Sequence, residues 1–201
     1  GPMLKETKEF FKKRYNISNE VFDIVEKASE DVKVVLKNLD DIKEYNQLKV
    51  ISAFQEERIS ESHFTFSTGY GYGDIGRDTL DKVYAKVFNT EAALVRPHFV
   101  NGTHAITAAL FGCLRPNDTM LSVCGKPYDT LDNVIGITDK EDIGSLKDYG
   151  VHFKQIDLLP DGKVDYTAIK EALESDKSIK LVNIQRSTGY GWRTALTIED
   201  I

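Results

Sequence analysis

The chain has 201 residues, 41% of them hydrophobic, and a net charge of −6. That is enough apolar material for a sizeable core, without the basic footprint that nucleic acid as the main partner requires. No apolar run approaches the ~20 residues of a membrane span, the charged first residues do not read as a secretory signal, and no membrane partner is expected.

Gly1-Pro2 ahead of Met3 reads as a scar of protease cleavage and is set aside. From residue 4 to about 60 the pattern is helical. Leu4, Phe10 and Phe11 open it, Ser18-Asn19-Glu20 is a helix start, and Val21, Ile24, Val25 and Ala28 follow at helical spacing. Ile42, Tyr45, Leu48 and Ile51 then recur at intervals of three, and no Pro or Gly interrupts residues 3–68. This apolar stripe is expected to pack on the rest of the protein or on a second subunit. Residues 3–67 are therefore read as a helical arm.

At Thr68 the composition changes. Residues 68–77 read TGYGYGDIGR, with four glycines. Asp78 is expected to cap a helix whose apolar face is Leu80, Val83, Tyr84, Val87 and Phe88. Ala92–Val95 reads as a short strand, residues 103–114 as a helix apolar nearly all round, and Thr119–Cys124 as a buried strand. Val151–Ile156 and Ile179–Ile184 are further strands, separated by a helix that opens at Asp165 and carries Ile169, Ala172 and Leu173. Strands alternating with helices predict an α/β layer with a mostly parallel sheet over residues 68–201. Thr197 followed by Ile198-Glu199-Asp200 reads as the start of another helix, and a helix begun so near Ile201 gives the expectation of a truncated domain.

Three patterns bear on chemistry. Gly71-Tyr72-Gly73-Asp74-Ile75-Gly76 fits the dinucleotide fingerprint literally. It lacks an acid closing the next strand, and Asp74 would repel a pyrophosphate, so it is read as a decoy. Asn101-Gly102-Thr103-His104 is the better anion site: Gly102 leaves room for a ligand, and free amides open an alanine-rich helix. Gly125-Lys126-Pro127-Tyr128-Asp129-Thr130 follows the strand Thr119–Cys124, where α/β proteins place ligands, and Tyr128 can stack on a flat heteroaromatic ring. Each piece alone is as well explained by an ordinary helix cap or a half-buried surface tyrosine. Cys113 and Cys124 are read as buried free thiols in a reducing cytosol, with a disulfide as the open alternative. His63, His98, His104 and His152 lack metal-ligand spacing, and no metal site is expected.

The stretches GYGYGDIGRDTLDKVYAKVF, ALVRPHFVNGTHAITAALFGCLRPND, LSVCGKPYDTLDNVIG, GSLKDYGVHFKQIDLLPDG and IQRSTGYGWRTALTIEDI resemble the aluminium-resistance family of cystathionine β-lyase-like and methionine γ-lyase-like proteins. The resemblance runs from about Tyr45 to Ile201. It implies the first part of a fold-type I domain binding pyridoxal 5'-phosphate (PLP), behind the helical arm. It implies a carbon–sulfur lyase acting on a sulfur-containing amino acid by β- or γ-elimination, cytoplasmic, and a homodimer or homotetramer. By the same resemblance Gly102, Thr103 and His104 sit at the cofactor phosphate and Tyr128 stacks on its ring. Tyr72 and Arg77 reach a neighbouring subunit's phosphate, with Tyr70 as a competitor for the role of Tyr72. Arg186–Trp192, RSTGYGW, is an active-site loop without individual roles. The family's Schiff-base lysine is expected beyond Ile201, so no catalytic residue is assigned and this chain alone is expected to be inactive; Lys126, in the turn before Pro127, is not that lysine. The alternative is a non-catalytic assembly module that binds a second polypeptide through its N-terminal helices.

Overall fold

The computed structural model describes residues 3–201, so the cleavage scar at residues 1–2 lies outside the described residues. The chain divides into two compact units, Gly1–Arg96 and Pro97–Ile201. The change of composition at Thr68 falls inside the first unit.

In the first unit, α1 (Lys5–Tyr15) is followed by α2 (Asn19–Asp31), which Ser18 caps by accepting from the Val21 amide. Next come α3 (Lys33–Glu56) and α4 (Ile75–Val87), which pack on one another, burying Ala53 and Val83. Lys86 of α4 joins Glu56 of α3 at 2.7 Å and the adjoining Glu57 at 3.3 Å. Because so few side chains are buried here, the stripe Ile42, Tyr45, Leu48 and Ile51 stays exposed along α3.

Two expectations in this unit are corrected. Asp74, not Asp78, caps α4: its carboxylate accepts from the Arg77 amide and from the Ser67 hydroxyl, while Asp78 sits in the first turn paired with Arg77. Residues 92–96 form no strand. They run as an extended segment tied to α4 by Asp81, which accepts from the Val95 amide and twice from the Arg96 guanidinium at 2.8–3.0 Å. With no strand there, the dinucleotide fingerprint loses the βαβ frame it needs. Gly76 has a structural reason instead, since a Cβ there would come within 2.5 Å of the His63 carbonyl oxygen.

The second unit is a layered α/β arrangement. Strand β1 (Thr119–Ser122) lies between β2 (His152–Gln155) and β3 (Ile179–Asn183), parallel to both. Ser122 stands opposite Gln155 on one side and Asn183 on the other. All four β1 residues are at most 2% exposed. Side chains alternate across a strand. Met120 accordingly joins a core with Leu110 and Leu114, from α5 (Gly102–Cys113) and its end, and with Leu131 and Ile135, from around α6 (Asp132–Ile135). Leu121 joins Val123, Cys124, Val164 and Leu196, packed by Ile169 and Ala172 of α7 (Tyr166–Ser175). Asp165 caps α7 as its sequence implies, accepting from the Ala168 amide.

Three further expectations change. The nearly all-apolar α5 buries only Leu110 fully, because one side meets the Met120 core and no described element covers the other. Cys113 on that helix is consequently exposed, while Cys124 is buried, and both are free thiols. The helix start at Thr197 is a turn: the Asp200 carboxylate accepts from the Thr197 amide and hydroxyl, the Asp200 amide donates to the Thr197 carbonyl, and residues 198–200 do not continue as a helix.

At the entrance to β3, Asp176 accepts from Lys154 and from the Ser178 amide and hydroxyl, and the Ser178 hydroxyl meets that of Thr119 at 2.7 Å. The Lys154 ammonium, helped by Ser178, lowers the Asp176 carboxyl from 3.8 to about 2. A carboxyl lowered in the folded state adds stability above its unfolded value and loses it as pH falls through its folded value. Asp176→Asn should therefore be less stable than the parent at neutral pH, with the gap closing between about pH 4 and 2. Urea midpoints measured across that range check this, and a constant gap would refute it.

Candidate functional site

The carboxyl ends of the three parallel strands share one edge of the sheet, the edge on which α/β folds gather ligands. Two loops meet there. The loop leaving β1 extends the pairing, with the Val123 amide donating to Asn183 and the Gly125 amide to Ile156. It then reaches Tyr128, which opens a short 3-10 turn over Asp129–Leu131. The loop leaving β3 returns at Gln185, whose side-chain carbonyl accepts from the Tyr128 amide at 2.9 Å.

The first turn of α5 joins this edge through one bond: the Thr103 hydroxyl donates to that of Thr130 at 2.8 Å. Asn101 caps α5, its side chain accepting from the His104 amide at 2.9 Å. Among the described residues the amides of Gly102 and Thr103 have no protein partner, as the first donors of a helix do not. Gly102 has neither a left-handed backbone nor a neighbour that a Cβ would meet within 4 Å, so nothing in the described chain itself demands glycine there. His104 Nδ1 accepts from the Val100 amide at 3.1 Å, which leaves the proton of the neutral ring on Nε2. The ring stands edge-on to Phe99.

Tyr128 is half-exposed, with Tyr190 beside it at 6.0 Å between ring centroids and 30° between planes. The neighbouring Tyr190 side chain holds the Tyr128 phenol above its ordinary value. Lys126 is paired with Asp132 at 2.9 Å. The loop 185–196 keeps its form through arginines. Arg186 donates to Leu196, and the Arg193 guanidinium donates to the carbonyls of Gln185 and Ser187 at 2.7 and 2.8 Å, and to those of Thr194 and Arg186 at longer range.

In the first unit, the glycine loop 68–74 lays Tyr70 and Tyr72 open to solvent. Gly69, Gly71 and Gly73 take left-handed backbone with open space around them. Arg77 donates to the carbonyls of Gly69 and Gly71 at 3.4 and 3.2 Å and to Asp78, so its guanidinium holds the loop's shape. The Ser67 hydroxyl and the Arg77 amide keep the Asp74 carboxyl below its ordinary value.

Gly102, Thr103, His104 and Tyr128 thus fall on one edge of the second unit, while Tyr72 and Arg77 belong to one loop of the first. Reading the sequence did not find the roles of Thr130, Gln185 or Arg193. Thr130 and Gln185 act through partners 27 and 57 positions away, and Arg193 acts through main-chain carbonyls of its own loop; residue type announces none of these roles.

The parallel sheet and its flanking helices match part of an α/β domain of the PLP-enzyme type. The chain belongs to the methionine gamma-lyase family, whose model matches residues 21–201. It superposes on a proposed cystathionine beta-lyase involved in aluminium resistance from Clostridium acetobutylicum, with 61% identity and a TM-score of 0.91, covering 99% of this chain and 47% of that one. A carbon–sulfur lyase involved in aluminium resistance from Clostridium novyi NT gives 63% identity and a TM-score of 0.90 over the same shares. The Bacillus subtilis protein YnbB is 47% identical over 171 residues, 85% of this chain and 40% of that protein. The chain therefore spans less than half the length of these relatives.

The Asn101 cap is what separates occupied from free amides at α5. Removing a cap of this kind costs about 0.5–2 kcal/mol. Asn101→Ala is expected to lower stability by that amount in denaturant titrations, and an unchanged midpoint would show that the cap does not hold the helix start.

Proposed function

We propose that the whole protein is a PLP-dependent carbon–sulfur lyase that acts on a sulfur-containing amino acid by β- or γ-elimination. In this reading the present chain forms the phosphate and ring-face side of the cofactor site. One observation supports it above the rest: two unpartnered amides, Gly102 and Thr103, are joined through Thr130 to the loop that presents Tyr128. Backbone donors at a helix start suit a phosphate dianion, with the helix dipole behind them. The open space at Gly102 gives that glycine a purpose which no described neighbour supplies. A tyrosine face next to it suits a flat pyridine ring. The chemistry of this cofactor, when bound, is that of an electron sink for charge developing at the substrate Cα.

The chain's own residues would divide the binding task. The amides of Gly102 and Thr103 meet the phosphate, and His104 contributes Nε2, since its own amide is capped. The Thr103 hydroxyl hydrogen is engaged with Thr130, so the hydroxyl hydrogen left for a ligand is that of Thr130. Lys126 is held by Asp132 and is not proposed as the lysine that binds the cofactor covalently. The 201-residue chain alone is accordingly proposed to hold PLP weakly and without turnover.

PLP titrated into the protein and followed by absorbance should bind with at least tenfold weaker affinity in Gly102→Asp, because a carboxylate then faces the phosphate, and inorganic phosphate should compete. Lys126→Arg should bind as the parent does, and borohydride reduction should leave Lys126 unlabelled on peptide mapping. Equal affinity in Gly102→Asp, or stoichiometric label at Lys126, would sink the assignment. Thiol release from cystathionine or methionine by the whole protein tests the reaction itself.

The exposed α3 stripe also favours an assembly role, with a homodimer or homotetramer built on this arm and Tyr72 or Arg77 facing a partner's cofactor site. In the second reading, assembly is the chain's whole purpose and PLP does not bind. Tyr45→Asp with Leu48→Asp should convert an oligomer to a monomer in light scattering. An unchanged mass would remove α3 from the interface.

A further inference from the structure

The loop Gln185–Leu196 presents two large aromatics that its core does not explain. Leu196 is buried, but Tyr190 is 87% exposed and Trp192 is fully so. The loop's shape does not need them. Arg193 donates to the carbonyls of Gln185 and Ser187 before the tip and of Thr194 after it, and Arg186 closes the base on Leu196. Neither ring belongs to a hydrophobic core of the described residues. The one aromatic neighbour Tyr190 has among the described residues is Tyr128, the ring that faces the proposed cofactor site.

Tyr128 is held at three points, all from this loop. Its amide donates to the Gln185 side chain. Gly189 lies so close to its edge that a Cβ there would stand 3.3 and 3.4 Å from Cδ2 and Cε2. Tyr190 then covers part of the ring at 6.0 Å with a tilt of 30°, within the range in which aromatic pairs attract one another. Gly189 also has a φ of 56°, which strains any side chain placed there. The tip therefore combines a residue that must be small, so that Tyr128 fits, with one that must be aromatic, so that its ring is kept in place.

We infer that Tyr190 is a positioning residue: it sets the orientation of the Tyr128 ring and, through that ring, the stacking of the cofactor. The role toward the cofactor rests on the function proposed above; the role toward Tyr128 does not.

The test uses the protein with ring-labelled tyrosine, with the Tyr128 resonance assigned by Tyr128→Phe, in the parent, Tyr190→Phe, Tyr190→Ala and Gly189→Ala. Tyr128 should ionise above 10.0 in the parent and fall back toward it in both Tyr190 variants, since each removes the neighbouring hydroxyl. PLP affinity should stay within about twofold in Tyr190→Phe, which keeps the ring. It should weaken roughly three- to tenfold in Tyr190→Ala, the range that an aromatic pair accounts for. Gly189→Ala should weaken binding at least as much, by pushing the ring aside. Because Tyr190 is exposed, the thermal midpoint of Tyr190→Ala should match the parent. A Tyr128 titration that ignores both Tyr190 variants overturns the inference, and so does unchanged PLP affinity in Tyr190→Ala. If the parent itself binds no PLP, the functional reading fails, and the titration still decides whether Tyr190 holds Tyr128.

Discussion

Strand β1 is the constraint on which the second unit depends. Its four residues are almost wholly buried, and it is paired on both sides, so its main-chain donors and acceptors must be met by β2, β3 or the residues flanking them. Both pairings are parallel, which sends the carboxyl ends of all three strands to the same edge. The register does the rest. Ser122 faces Asn183, so the loops that follow emerge side by side, and Tyr128 meets Gln185 although 57 positions separate them. The candidate site follows from strand direction and register more than from any one motif.

The faces of β1 extend that dependence. Met120 collects the hydrophobic residues of α5 and its surroundings, while Leu121 collects those of α7 and Leu196. Seating Leu114 against Met120 fixes where α5 ends. The bond between Thr103 and Thr130 then fixes where it begins relative to the Tyr128 loop. Leu196 acts likewise for the second loop, anchoring its far end in the other core. Core packing and site geometry are thus the same set of contacts seen from opposite ends.

Much of this frame could be read from residue patterns. Thr119–Cys124 is continuously apolar or small, as a strand buried on both faces must be, and Asp165 ahead of an apolar face marks α7. The failures have physical causes. Asp74 and Asp78 are both good caps, and what decides between them is the Ser67 hydroxyl, seven residues away. Ala92–Val95 has the composition of a strand, yet Asp81 takes up its amide and the Arg96 guanidinium, and no strand pairs with it. Gly76 looked like one member of a nucleotide fingerprint, and its need for a small residue comes from the His63 carbonyl. At the site, Gly102 and Tyr128 were visible because their residue types suit a ligand. The roles of Thr130 and Gln185 were not, because they exist only once distant segments meet, and that of Arg193 was not, because it is made to main-chain carbonyls of its own loop.

Arg193 has a consequence for how such a site can vary. It grips its loop through carbonyl oxygens, which every residue possesses, and makes none of these bonds to a side chain. The Arg193 grip is therefore indifferent to the identities of Thr188 and Trp192, while Gly189 is confined by its backbone and by the Tyr128 ring, and Tyr190 by its place against that ring. A loop built in this way is a fixed handle with interchangeable tips. Substitutions at Thr188 and Trp192 can change what the site presents to a ligand while the scaffold that presents it keeps its shape.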